Sequence, residues 1–443
     1  MFSTPDFNRH VVITGIGILS PVGSTPQSFW QSLQAEQSGI AAMRETESSN
    51  FPSIVAGKVN DLETIIREFN GLSKDVKKAL RKSVKVMNRE TQLGVMAALQ
   101  AITESALPEG HYAPERFGVS FGTGYVSMLP EDFQAGINAC STEDQTFHIE
   151  QWGSKGVPEI APLWILKCLP NMPACHLAIL GDLQGPNNSI TQEESSANFA
   201  LSEAYHIIAE GAADAMLVGG TGNTILPFSR MHRMLDQDVA HYDETSDPAT
   251  ICRPFDKHRT GTVLGEGAAA FLLEEQESAN RRGATIYGEI CGVGSSCVVG
   301  AGRIPNRQRA MENAMRATLR SARITPDDVG HLHAHGLSTQ TSDTEEAQAI
   351  DNVFGKRTKT LPVVAAKSYL GNSGGGAGAL ETAASLLALK EGHLFPILNY
   401  TEQDPDCPIS PVTSNDVPAG ELFLNLNVVK QGQASCIAIR KVA

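Results

Sequence analysis

The 443-residue sequence predicts an α/β fold built from two alternating halves, residues 1–274 and 275–443. Short apolar runs alternate with segments of helical periodicity, the pattern of sheets covered by helices. A polar break at Glu275–Gly283, rich in Glu, Ser, Asn and Arg, interrupts the alternation, which then resumes on the same plan. Apolar residues are 41% and charged residues 19%, the composition of a globular chain. No internal sequence repeat is strong enough to establish duplication by itself.

The elements follow in order. His10–Gly17 reads as a buried strand ending in a glycine turn. Its GxG lacks the third glycine of a dinucleotide fingerprint, and Pro21 and Gly23 break any immediate helix, so nucleotide binding is not expected. Thr91–Leu107 reads as a helix, with Leu93, Val95, Met96, Leu99 and Ile102 near helical spacing. Phe117–Phe121 is a strand, and residues 128–172 carry no clean pattern, as expected of inserted helical and loop material near an interface. Ser195–Gly211 is an amphipathic helix on Ala197, Ala200, Leu201, Ala204, Ile207 and Ile208. Strands at Asp214–Gly219 and Gly267–Glu274 complete the first half. In the second half, strands at 286–293, 331–335, 363–366, 421–429 and 435–440 enclose helices at 308–322, 344–354 and 378–391.

The net charge of −14 argues against a general nucleic-acid binder. It also means that an acidic partner needs a local basic patch. Lys74, Lys77, Lys78, Arg81, Lys82, Lys85 and Arg89 supply one within a short stretch, which as one helix shows a mostly basic face. The alternative reading is a plain solvated helix face. The eight cysteines are scattered without a CxxC pair, so neither a disulfide framework nor a zinc site is expected, and no cofactor is implied. The polar start and the broken apolar run Val11–Val22 do not read as a signal peptide, and no apolar stretch approaches a membrane span. A cytoplasmic location is expected.

The segment Gly185-Pro186-Asn187-Asn188-Ser189-Ile190-Thr191-Gln192-Glu193-Glu194-Ser195-Ser196 resembles the active-site turn of the β-ketoacyl-acyl-carrier-protein synthases. Further blocks follow in the family's order: Arg253-Pro254-Phe255-Asp256-Lys257-His258-Arg259 running into Gly265-Glu266-Gly267-Ala268, then His335-Gly336-Leu337-Ser338-Thr339, and Lys367-Ser368 leading to Gly371. The match spans nearly the whole chain. It implies a thiolase-type duplicated fold in five αβαβα layers, dimeric, with the active-site turn in the first half and the His and Lys motifs in the second. It also implies an acyl carrier protein as partner, for which Arg81, Lys82 and Lys85 are candidate docking residues.

In that family a Cys at a helix N-terminus takes up an acyl group, and two His donate hydrogen bonds as an enolate develops. By the resemblance, Glu194 stands at the Cys position and Asn372 at the second His. His335, Lys367 and the supporting Glu346 are retained. Residues 428–433 match the family's glycine–phenylalanine gate poorly, and Thr260 and Thr262 replace its Asp and Phe. A carboxylate attacking a thioester gives a mixed anhydride, not an exchanged thioester, so condensation by this chain alone is in doubt. Ser195, Ser196 and Cys175 are weak alternatives, since a Ser nucleophile also needs a base.

A helix N-terminus stabilises a carboxylate by about 0.3–2 kcal/mol, less than the several kcal/mol that burial costs. Glu194 therefore requires further donors, and His335 and Asn372 are the expected ones. Two readings follow. Chain-length factors of polyketide systems carry a Glu-Gln pair at the turn, which the present Glu193-Glu194 resembles, and act as Cys-less partners of an active ketosynthase. The alternative is a ketosynthase-derived enzyme with altered chemistry, such as malonyl decarboxylation or another acyl transfer. Homodimer and heterodimer both stay open.

Overall fold

The computed structural model describes residues 9–43, 54–125, 129–236 and 239–442. The polar start at 1–8 lies outside the described residues. The first half contributes β1 (Val11–Leu19), β2 (Ile40–Met43), β3 (Ile54–Gly57), β4 (Phe117–Gly122), β5 (Asn187–Ile190), β6 (Ala215–Asn223) and β7 (Leu264–Glu275). The second contributes β8 (Gly288–Cys297), β9 (His331–His333), β10 (Pro362–Val364), β11 (Ser410–Pro411), β12 (Leu422–Val428) and β13 (Gln433–Arg440).

The strand order is β11-β10-β9-β12-β13-β8-β1-β7-β6-β4-β5, with β2 and β3 to the side of β7. Each half repeats one plan. In the first, β5, β4 and β6 run parallel and β7 and β1 follow antiparallel. In the second, β10, β9 and β12 run parallel and β13 and β8 follow antiparallel. The halves meet where Val11–Ile13 of β1 pair with Gly288–Ile290 of β8. The duplication that the sequence left unproven is thus plain in the strand order.

Helices fill the remaining layers. Arg89–Glu104 and Met172–Gly181 cover the outer face of the first half, and Arg307–Ala322 with Gln340–Phe354 that of the second. Between the two sheet halves lie Ser196–Ala209 and Ala377–Glu391. Every residue from Ala377 to Leu389 is buried, as a helix apolar on all sides must be. This is the five-layered α/β arrangement expected from the sequence.

The basic stretch is not one helix. The helix Lys74–Ser83 gives way to a tight turn at Val84–Val86, and Asn88 caps a new helix beginning at Arg89. Arg89 turns inward and pairs with buried Glu266 at 2.6 Å, which commits its charge to the interior although its side chain stays 29% exposed. Arg81, Lys82 and Lys85 stay exposed.

Two backbone features place the site. At Gly222 a Cβ would come 1.9 Å from the Ser373 carbonyl, so only glycine lets β6 lie against the turn that follows Asn372. Glu193 adopts φ +45°, an uncommon conformation for a side-chain-bearing residue, and turns the chain from β5 into the central helix Ser196–Ala209.

Candidate active site

The strained turn Glu193–Ser195 buries Glu194 at 2% exposure. Arg233 Nη1 donates to Glu194 Oε1 at 2.7 Å, and Asn372 Nδ2 donates to the same oxygen at 2.9 Å. Burial pushes the Glu194 carboxyl up, but the Arg233 charge and the Asn372 hydrogen bond outweigh it and hold Glu194 well below the usual carboxylate range. Arg233 is held protonated in turn: burial works against its charge, and Glu194 and Glu193 more than offset this. Glu193 extends the cluster, with Arg233 at 3.6 Å, the Tyr125 hydroxyl donating at 2.5 Å and Gln431 at 3.4 Å.

Arg233 was not anticipated from sequence. It lies on the helix Pro227–Asp236, which is inverted relative to an ordinary surface helix. Arg230 and Arg233 face inward, while Phe228, Met231 and Leu235 form an exposed stripe at i, i+3 and i+7. A charge in the middle of an apolar-rich helix was the available signal.

His335 follows β9. Its own N–H and that of Gly336 donate to the two oxygens of Glu346 at 2.6 and 2.8 Å, which fixes the backbone that carries the ring. Burial raises the Glu346 carboxyl to about 8. The ring Nδ1 faces Lys367 Nζ at 3.3 Å and Asn427 Nδ2 at 3.5 Å. Both are donors, so Nδ1 is assigned as the acceptor and Nε2 carries the proton. Burial, reinforced by the Lys367 charge, lowers His335 well below its ordinary value and keeps it neutral at neutral pH. Lys367 also donates to the His335 carbonyl at 2.7 Å and pairs with Glu381, to which Asn427 donates at 2.7 Å. Glu381 and Asn427 are further members that sequence reading missed.

The structure brings Glu194, His335, Lys367, Asn372 and Glu346 into one buried neighbourhood, with one correction to the expected contacts. Asn372 donates to Glu194, but His335 makes no hydrogen bond to it, because Arg233 occupies the donor role instead. His335 and Glu194 line one cavity of about 280 Å³, with Leu337, Val428, Arg307 and Lys430 toward its mouth. Arg233 lines a second cavity of about 230 Å³ with Tyr125, Thr224, Phe228, His232 and Gly374. A larger groove of about 570 Å³ around Arg9, Tyr112 and Arg281 lies elsewhere and carries none of these groups.

Ser196 and Cys175 do not gain support as nucleophiles, whereas the Ser195 hydroxyl is buried with no hydrogen-bond partner among the described residues. Ser196 Oγ accepts from the Gln192 N–H at 2.7 Å and donates to the Thr123 carbonyl at 3.1 Å, a structural role. Cys175 sits on the helix Met172–Gly181 against Asn171 and lines neither cavity.

Comparison with known proteins agrees with this architecture. The β-ketoacyl synthase N-terminal domain matches residues 8–279, and the β-ketoacyl synthase C-terminal domain matches residues 287–401. The chain is 33% identical over 407 residues to 3-oxoacyl-[acyl-carrier-protein] synthase 2 of Coxiella burnetii, with 90% of each chain covered. It superposes with a TM-score of 0.81 and 25% identity on the ishigamide ketosynthase/chain length factor, over 98% of this chain and 100% of that one. The same TM-score, identity and coverage relate it to AntDE:AntF, a type II polyketide synthase acyl-carrier protein in complex with its ketosynthase bound to the hexaketide.

Proposed function

The chain belongs to the β-ketoacyl synthase family, and on that premise we propose that it serves fatty acid or polyketide synthesis as a non-condensing, chain-length-factor-like partner of a cysteine-bearing ketosynthase. The observation that carries this reading is the state of Glu194. The turn that in the resemblance holds a nucleophilic Cys holds instead a buried, ionised carboxylate, neutralised by Arg233 and clamped by Asn372. Such a group does not exchange a thioester.

The surface supports a partner. β5 is an edge strand bonded only to β4 among the described strands, and unpaired edges are templates for association. Ile149, Leu163 and Ile179 are well exposed, as is the Phe228–Met231–Leu235 stripe, and Ile179 lies on the helix Met172–Gly181 that packs on β5. Apolar groups in this number mark interaction surfaces. The AntDE:AntF complex supports an acyl carrier protein as a further partner, with Arg81, Lys82 and Lys85 as the docking cations. No helix among the described residues is long and apolar enough to cross a membrane.

One observation favours a second reading. His335 keeps a neutral ring with its Nε2 proton available in a cavity bordered by Arg307 and Lys430, which suits a malonyl thioester. Ionised Glu194 opposes it, because it repels the malonyl carboxylate. Carbon dioxide release from malonyl-carrier protein by the purified chain, abolished in His335→Ala, is the result this second reading requires. The partner reading predicts no turnover alone and a stable heterodimer on co-expression with a cysteine-bearing ketosynthase. Recovery only as a homodimer beside every such candidate sinks it.

A further inference from the structure

We infer that the Glu194–Arg233 pair is an internal partition that divides one passage into two cavities and excludes acyl chains from the interior of this chain. Glu194 lines the cavity of about 280 Å³ on the His335 side, and Arg233 lines the cavity of about 230 Å³ on the Phe228 side. Their charged ends meet at 2.7 Å, with 3% and 8% of the two side chains exposed. The wall is therefore one residue pair thick. Asn372 closes it from a third direction: its side chain donates to Glu194, and its carbonyl accepts from Thr224, which lines the second cavity.

Size and energetics point the same way. Each cavity alone lies at or below the lower end of the range of roughly 300–1,000 Å³ common for ligand pockets, whereas joined they fall well within it. A buried ion pair is weak grounds for stability, because apolar residues of similar volume serve as well. What this pair does that apolar packing by small residues cannot is fill the passage with two long, charge-paired side chains. Glu194 and Arg233 are thus specificity-determining residues that act by exclusion. The inference goes beyond the partner role and is tested separately from it, since it concerns only what this chain admits.

The test is calorimetric titration of the full-length protein with decanoyl-pantetheine. Wild type is expected to show no saturable binding. Glu194→Ala/Arg233→Ala, which joins the cavities, is expected to bind one equivalent at least ten-fold more tightly. Glu194→Gln/Arg233→Met, which keeps the volume and removes the charge, is expected to stay closed. If the Ala/Ala protein does not fold, Glu194→Ser/Arg233→Ala carries the same expectation, and the wild-type titration stands alone: saturable one-to-one binding by wild type overturns the partition. A folded Ala/Ala protein that gains no affinity overturns it equally.

Discussion

The two sides of the pocket hold similar inventories of buried charge and use them in opposite ways. On one side, Lys367 and Asn427, tied together by Glu381, converge on one edge of the His335 ring and leave its other nitrogen with a proton to donate. On the other, Arg233 and Asn372 both donate to one oxygen of an ionised Glu194, which has no proton to give a substrate. The lesson is that burial and perturbed titration do not by themselves mark catalysis. A group is poised to donate when its network leaves it a proton facing the cavity, as at His335, and is not when a fixed cation holds it ionised, as at Glu194.

Breaking one member of the closed side has the largest expected effect. Arg233→Met strands an ionised carboxylate at 2% exposure and is expected to cost about 3–5 kcal/mol in urea unfolding. Adding Glu194→Gln to it removes the stranded charge and is expected to recover most of that loss. Equal losses in the single and double variants show that the pair is not a closed unit.

The second contrast is in pH. Glu194 ionises more readily in the folded chain than its ordinary value of 4.5, so its contribution to stability is present above that value and is lost as pH falls below it. Wild type is therefore expected to lose stability through the acid limb more steeply than Glu194→Gln/Arg233→Met, by up to ~1.4 kcal/mol per pH unit. Parallel acid limbs place the Glu194 carboxyl near its ordinary value and break the account of the pair.

The alternation of strand and helix was legible where a strand is a short apolar run, as at β1, β4 and β6, or a helix has a 3.6-residue stripe, as at Arg307–Ala322, whereas residues 128–172 and the helices Met172–Gly181 and Pro227–Asp236 were not read. Glu194, Asn372, His335, Lys367 and Glu346 were legible through their motifs, and the fold brings all five together. The remainder lay in contacts between distant segments. Arg233 reaches Glu194 across 39 positions, from a helix whose outward apolar stripe disguises which face is buried. Glu381 is a lone acid in the run Ala377–Leu389, where the pattern says core, and only the fold reveals Lys367 beside it. The basic stretch misled because seven cations suggested one face, while Asn88 starts a new helix and Arg89 turns in.

Smaller perturbations sharpen the comparison further. Tyr125→Phe removes a hydrogen bond to Glu193 at the half-exposed rim of the cluster, and about 1 kcal/mol is expected in thermal or urea unfolding. An effect above ~3 kcal/mol extends the closed network outward to Tyr125. Reversing Arg81, Lys82 and Lys85 to Glu, far from both sides, is expected to leave stability within about 0.5 kcal/mol. The same variant is expected to weaken acyl-carrier-protein binding at low salt, read by surface plasmon resonance, and unchanged binding removes those residues from the docking face.

The central claim is that this chain has lost the capacity to hold an acyl group and works through a partner. Intact-mass spectrometry of the chain with acyl-carrier-protein thioesters, alone and co-purified with a cysteine-bearing ketosynthase, tests it most directly. The expected result is an acyl adduct on the partner only, with none on this chain in either sample. An adduct on this chain, at Ser195 or elsewhere, contradicts the account.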